Sequence, residues 1–221
     1  VSFEGIKMSK DIKLVFLEMK THIFMYILPL VIIYCIFMPY CISEIQYIDN
    51  PMQKELTYFM ISQRYLNIFI VFYLWLLFRN YIDSDLVETL ISIDSRYRIR
   101  FIFYAMIIYI IALFPYFIIS YILLDGCIYL ILGLIFEFII LSCIFYGLTM
   151  LFKNCLITLI SIIIFILLFT HFFIMEEPYI LFHPTILTSQ LSMTYWICQI
   201  CIGIVMIIIG FIIEKKKLYM S

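Results

Sequence analysis

The sequence predicts an all-α membrane protein. It has six transmembrane helices, an N-terminal amphipathic interfacial helix, a short cytoplasmic helix and an outer re-entrant segment before the last span. Three observations carry that expectation. Of the 221 residues, 66% are hydrophobic and only 13% are charged. A soluble domain runs near half apolar with about a quarter charged. The apolar residues fall in runs of the roughly 20 residues that a helix needs to cross a bilayer. Lys and Arg collect in alternate connections between those runs. The net charge of −1 carries no message; its distribution does. The whole chain, 1–221, reads as one transmembrane domain without a soluble one.

Residues 6–20 open the chain. Met8, Ile12, Val15, Phe16 and Met19 share one face at helical spacing, with Lys7, Lys10, Asp11, Lys13, Glu18 and Lys20 around the rest. That pattern fits a helix lying in the inner interface with its lysines among headgroups; a plain charged flank before the first span is the other reading. The first long apolar run starts near Thr21 and has no small-residue cleavage site, so no cleavable signal peptide is expected. The spans fall at about 21–43, 56–78, 101–124, 127–152, 154–175 and 195–213. Only Arg64 interrupts the second, and only Glu137 the fourth. Residues 178–213 are uncharged and too long for one crossing. Pro178 and Pro184 divide them, leaving 178–194 as the re-entrant or interfacial piece.

Six spans put both termini on one side. With that side inside, the inner segments hold Lys7, Lys10, Lys13, Lys20, Arg79, Arg96, Arg98, Arg100, Lys153, Lys215, Lys216 and Lys217; the outer connections hold only Lys54. Basic residues mark the cytoplasmic side, so both termini and the segment 82–100 are expected to be cytoplasmic.

Segment 82–100 reads IDSDLVETLISIDSRYRIR. Leu86, Leu90, Ile93 and Tyr97 form one apolar stripe at i, i+4, i+7 and i+11. Asp83, Asp85 and Glu88 sit at the start, where the helix dipole favours anions, and Asp85-x-x-Glu88 resembles a capping box. Arg96, Arg98 and Arg100 sit at the end, where cations are favoured. A short helix strung between two spans moves with both and suits force transmission from a cytosolic partner. A solvated loop with a positive flank is the alternative.

Arg64 and Glu137 are the ionisable residues well inside spans. Such residues are costly there and face the protein interior or a water-filled cavity. At the helical rise, Arg64 lies roughly 12 Å and Glu137 roughly 15 Å below the outer ends of their spans. They pair, or one of them lines a substrate path, or Arg64 snorkels outward beside Ser62 and Gln63. The cysteines read as small apolar residues of membrane helices, Cys198 and Cys201 included. His171 and His183, with Glu176 and Glu177 nearby, have no metal-ligand spacing. No Ser-His, paired-Asp or H-E-x-x-H arrangement supports catalysis. No catalytic, cofactor-binding or metal site is therefore expected.

The layout and the stretch Asp85, Glu88, Thr89, Leu90, Ile91, Ser92, Ser95, Arg96 and Ile99 resemble the type-2 family of ABC transporter permeases, the membrane subunits of bacterial exporters. The stretch His183-Pro184-Thr185 is similar to that family's outer re-entrant hairpin. Val87 stands where family members usually carry Gly, and Ile93-Asp94 where they often carry Pro. The resemblance implies a second permease copy, the same or a sister chain, and a separate ATP-binding cassette subunit that carries ATP and magnesium. No G-x-x-x-x-G-K-[ST] occurs in these residues. The resemblance makes 82–100 the coupling helix, with Asp83, Asp85, Leu86, Glu88, Leu90, Ile93, Arg96 and Tyr97 at the ATPase. It implies a bacterial plasma-membrane exporter of an amphipathic or hydrophobic cargo such as a peptide, toxin or antimicrobial peptide. The lipid bilayer is the other expected partner, and nucleic acid is not one. A non-transporting scaffold that docks a cytosolic protein through 82–100 is the alternative.

Overall fold

The computed structural model describes residues 15, 17, 19–82, 97–124, 128–172 and 191–218. Their regular elements are all helices: α1 (Ile23–Ile45), α2 (Pro51–Ile82), α3 (Tyr97–Ala112), α4 (Phe114–Leu123), α5 (Ile128–Phe152), α6 (Cys155–Phe172) and α7 (Leu191–Leu218). Four stretches are long and apolar enough to cross a membrane: Ile23–Ile45, Pro51–Arg79, Ile128–Phe152 and Ile197–Glu214. The bent pair α3 and α4 makes a fifth if counted as one span, and α6 has a shorter described apolar stretch, Cys155–Leu168.

Local chemistry fixes the ends. Asn50 accepts the Met52 N–H at 3.1 Å and Pro51 opens α2, where a missing N–H costs nothing. Between α5 and α6 only Lys153 and Asn154 intervene. Lys153 has φ 55, a left-handed residue at a helix end. Asn154 accepts the N–H groups of Leu156 and Ile157 at 2.9 and 3.0 Å, capping α6. This tight joint folds α6 against α5 and α2.

Proline shapes the interiors. Pro115 cannot donate to a carbonyl one turn back, and its ring crowds that turn. The expected third span is accordingly bent by 47° at Leu113, between α3 and α4. In α1 the turn Ile33–Phe37 widens to a π-helix just before Pro39. The wider turn moves the carbonyl that Pro39 would otherwise strike.

Side-chain pairings give the helix directions. Rings pair Tyr26 with Tyr73 and Phe37 with Tyr65, so α1 and α2 are antiparallel. Phe78 meets Phe101 and Ser62 meets Tyr116, so α2 is antiparallel to α3 and α4. Glu55 meets Tyr129 and Phe78 meets Phe145, so α2 and α5 are parallel. Gly203 lies by Ile140 and Glu214 by Tyr146, so α5 and α7 are parallel. A relay of rings, Tyr26–Tyr73–Tyr109–Phe138 at centroid spacings of 5.3, 5.4 and 5.6 Å, ties α1, α2, α3 and α5 together.

With those directions, most of the described basic residues gather at one end of the bundle: Lys20, Arg79, Arg98, Arg100, Lys153 and Lys215 to Lys217. The opposite end carries Glu44, Asp49, Lys54 and Glu55. The core lies along α2, whose apolar stretch is 61% buried against 28% for α1 and 22% for α7. The outward faces of α1 and α7 are apolar, as expected where lipid is the solvent.

Several expected boundaries shift. Ile82 belongs to α2 and residues 97–100 to α3, so both ends of segment 82–100 lie in the adjoining helices. Leu191–Thr194, expected in the re-entrant stretch, belong to α7. Residues 83–96, 173–190 and most of 6–20 lie outside the described residues.

The α5–α7 contact is glycine-dependent. A Cβ on Gly147 would stand 2.5 Å from the Met206 backbone oxygen, whereas one on Gly203 would meet only ordinary contacts at 3.8 Å. Small residues let membrane helices approach this closely. Gly147→Ala is expected to lower the thermal midpoint in detergent by roughly 3–10 °C, from an overpacking cost of about 1–3 kcal/mol. Gly203→Ala is expected to leave it unchanged or raise it, because Ala favours helix. Equal effects from the two would disprove the tight contact.

Candidate functional site

In the middle of α2 a turn of polar residues faces inward. Ser62, Gln63 and Asn67 are 0, 1 and 0% exposed. Gln63 and Asn67 are four residues apart and so share one side of the helix. That side meets α5 at Glu137, itself 1% exposed. Gln63 Nε2 donates to Glu137 Oε1, and Asn67 Nδ2 donates to Oε2 at 2.9 Å. Each carboxylate oxygen thus holds an amide of the neighbouring helix. The group is almost wholly buried, so these bonds take the place of hydration.

The adjacent side of α2 meets the bent third span through hydroxyls. Tyr58 Oη bonds with Ser120 Oγ, and Ser62 Oγ with Tyr116 Oη at 2.8 Å. Ser62 and Ser120 also donate to the carbonyls of Tyr58 and Tyr116, each at 2.7 Å. Tyr109 Oη reaches the Leu66 carbonyl at 3.2 Å. From α1, Tyr34 in the widened turn donates to the Ala112 carbonyl at 2.7 Å, beside the bend at Leu113. The two irregular stretches of backbone are therefore neighbours, and a tyrosine on one satisfies a carbonyl of the other. Kinked membrane helices need such partners for freed backbone groups.

Several buried polar atoms among the described residues have no hydrogen-bond partner, those of two amide groups in the membrane-spanning helices among them. Asn67 Oδ1 has no hydrogen-bond partner, and neither does either amide atom of Gln199, 1% exposed on α7. Near the basic end, Tyr146 donates to Glu214 at 2.6 Å, and Glu214 is 4% exposed. No group of three His, Cys, Asp or Glu that could hold a metal occurs among the described residues. The described cysteines, Cys198 and Cys201 included, are free thiols.

Of the residues singled out by sequence, Glu137 stands at the centre of this seam. Arg64 is half-buried on the turn between Gln63 and Asn67. Its neighbours Ser62 and Gln63 are buried. Tyr97 is the first residue of α3. Asp83, Asp85, Leu86, Glu88, Leu90, Ile93 and Arg96 lie outside the described residues. Sequence reasoning missed Gln63 and Asn67 as partners of Glu137. Their signal was present: two amides four residues apart inside an apolar span must face protein rather than lipid.

Comparison with protein-family models, with curated proteins and with solved structures finds no match for this chain. Its long apolar helices and lipid-like outer faces define an all-helical, multi-pass membrane protein.

Glu137→Leu removes the acceptor for two buried amides. Unsatisfied buried donors cost about 1–3 kcal/mol, so the thermal midpoint in detergent is expected to fall by roughly 3–10 °C. Glu137→Gln keeps one acceptor for Gln63. Its new N–H2 can donate to Asn67 Oδ1 once the Asn67 amide turns over. The glutamine variant is expected to melt near the wild type; equal loss in both variants would show that charge, not hydrogen bonding, holds α2 to α5.

Proposed function

We propose that this chain is the membrane-spanning permease subunit of an ATP-driven ABC exporter. The carrying observation is the segment 82–100, whose Asp85, Glu88, Thr89, Leu90, Ile91, Ser92, Ser95 and Arg96 resemble the coupling region of type-2 permeases. That segment joins α2 to α3 at the basic end of the bundle. Six crossings are supported by the alternating helix directions and by the tight α5–α6 joint. The positive-inside bias supports a cytoplasmic basic end and cytoplasmic termini. The plasma membrane of a bacterium is the proposed location.

The mechanism follows from where the segment is anchored. Two copies of the permease, or this chain and a sister, sit above two ATP-binding subunits that carry ATP and magnesium. Closure of those subunits pushes the coupling segment. The push passes into α2, which packs against α1, α3, α5 and α6. The bundle then shifts between two packings and opens its path outward. The bend at Leu113 and the wide turn at Ile33–Phe37 are where the flanking spans can flex. A hydrophobic or amphipathic cargo, such as a peptide, toxin or antimicrobial peptide, suits a pathway with so little charge.

Purification from native membranes in mild detergent is expected to bring down a subunit with a Walker motif, identified by mass spectrometry. The double variant Leu86→Asp/Leu90→Asp, still folded by thermal midpoint, is expected to lose it. No ATPase with the intact wild type would sink the transporter reading and favour a scaffold.

A further inference from the structure

Arg79 lies in the last turn of α2, at the basic end of the bundle, where the positive charge bias places lipid headgroups. Its guanidinium is held in a fixed pose. The Cζ sits 5.2 Å from the centroid of the Trp75 ring, within cation–π range. Nη2 points at the Met25 sulfur at 3.4 Å. A thioether is a weak acceptor, and no carboxylate faces this cation among the described residues. The Arg79 Nε is buried there without a hydrogen-bond partner. Guanidinium groups favour planar, two-pronged contacts with carboxylate or phosphate. Here the flat fork is pre-set, and no described residue offers it an anion.

The surroundings complete a lipid-shaped site. Met25 is flexible and can yield its place. Beside it on α1, Phe24 and Leu28 share one face and are 86 and 57% exposed, an apolar track leading away from the cation. The same end of the bundle carries Lys20 and most of the other described basic residues, so it attracts anions generally.

We propose that Arg79, seated on Trp75, binds the phosphate of an anionic phospholipid whose acyl chain runs along Phe24 and Leu28. The lipid phosphate takes the place of the Met25 sulfur at Nη2. The site needs neither the exporter reading nor a particular orientation, because both membrane faces present phosphates.

The test uses the purified full chain in non-ionic detergent, titrated with short-chain phosphatidylglycerol and read by native mass spectrometry and thermal midpoint. Parallel arms use phosphatidylcholine, dioctanoylglycerol and inorganic phosphate. Wild type is expected to bind and be stabilised by phosphatidylglycerol above the other three. Arg79→Gln is expected to bind it roughly tenfold or more weakly, as loss of a charge-assisted contact implies. Lys153→Gln removes the same charge from the same end at an exposed position and is expected to bind like wild type. If Arg79→Gln does not fold, Arg79→Lys serves, with severalfold weakening expected because a point charge replaces a fork. Undiminished binding by the folded Arg79 variant overturns the proposal. Equal loss in Lys153→Gln also overturns it, since general charge would then explain binding. Saturation by inorganic phosphate without a lipid preference overturns the lipid as ligand.

Discussion

A chain dissolved in lipid has no water to answer its buried polar groups, and the middle of α2 contains several. Gln63 and Asn67 would each be expensive facing hydrocarbon. Both instead close on Glu137 of α5. That interaction fixes more than one contact. It sets the rotation of α2, because two residues four apart must face one carboxylate. It also sets the relative height of α2 and α5. Once α2 is rotated this way, Ser62 and Tyr58 are aimed at Tyr116 and Ser120 on the other side. The position of the bent third span follows from the same rotation. Apolar packing alone would not choose among these rotations, because lipid tails are as apolar as the side chains they would replace.

The irregular backbone depends on the same seam. Pro115 breaks the third span and Pro39 widens the turn before it in α1. Either would leave backbone groups short of partners in a membrane. The two meet across Tyr34, whose hydroxyl serves the Ala112 carbonyl. Phe37, in the same wide turn, stacks on Tyr116 with centroids 6.0 Å apart. Tyr116 therefore links the wide turn of α1 to the hydroxyls of α2. Strain in two helices is offset locally, and the region that bends is also the region where three helices share hydrogen bonds.

Much of the layout was legible because its cause is one-dimensional. A run of apolar residues crosses a bilayer whatever its neighbours do, so the stretches at 21–43, 56–78 and 127–152 correspond to α1, α2 and α5 within a few residues. Glu137 could be marked as interior from its cost alone. Its partners were less legible. Gln63 and Asn67 are individually unremarkable, and only their shared face together with the helix directions selects them. Pro115 is readable as a helix breaker, yet the uncharged run around it reads as one span. The role of Gly147 depends on the Met206 backbone approaching from another helix, which no local pattern announces. Where spans pack on one another, sequence states which residues must be inside but not which residue each one meets.

The hub position of α2 bears on how a push at one end could act at the other. Its contacts with α3, α4 and α5 run through hydrogen bonds in the mid-bundle, and such bonds have discrete partners rather than a continuous range of lengths. Small displacements are resisted, and larger ones must exchange partners. Asn67 Oδ1 and the Gln199 amide lack partners among the described residues, so this packing does not satisfy every buried polar group. An alternative packing that answered them would recover part of that cost. α7 packs chiefly on α5 through Gly147 and Gly210, and so moves with it. α2 packs against α1, the bent third span, α5 and α6, and so is the shared axle of the bundle. A two-state switch in this protein would be a change of partners along that axle, not a stretching of the helices around it.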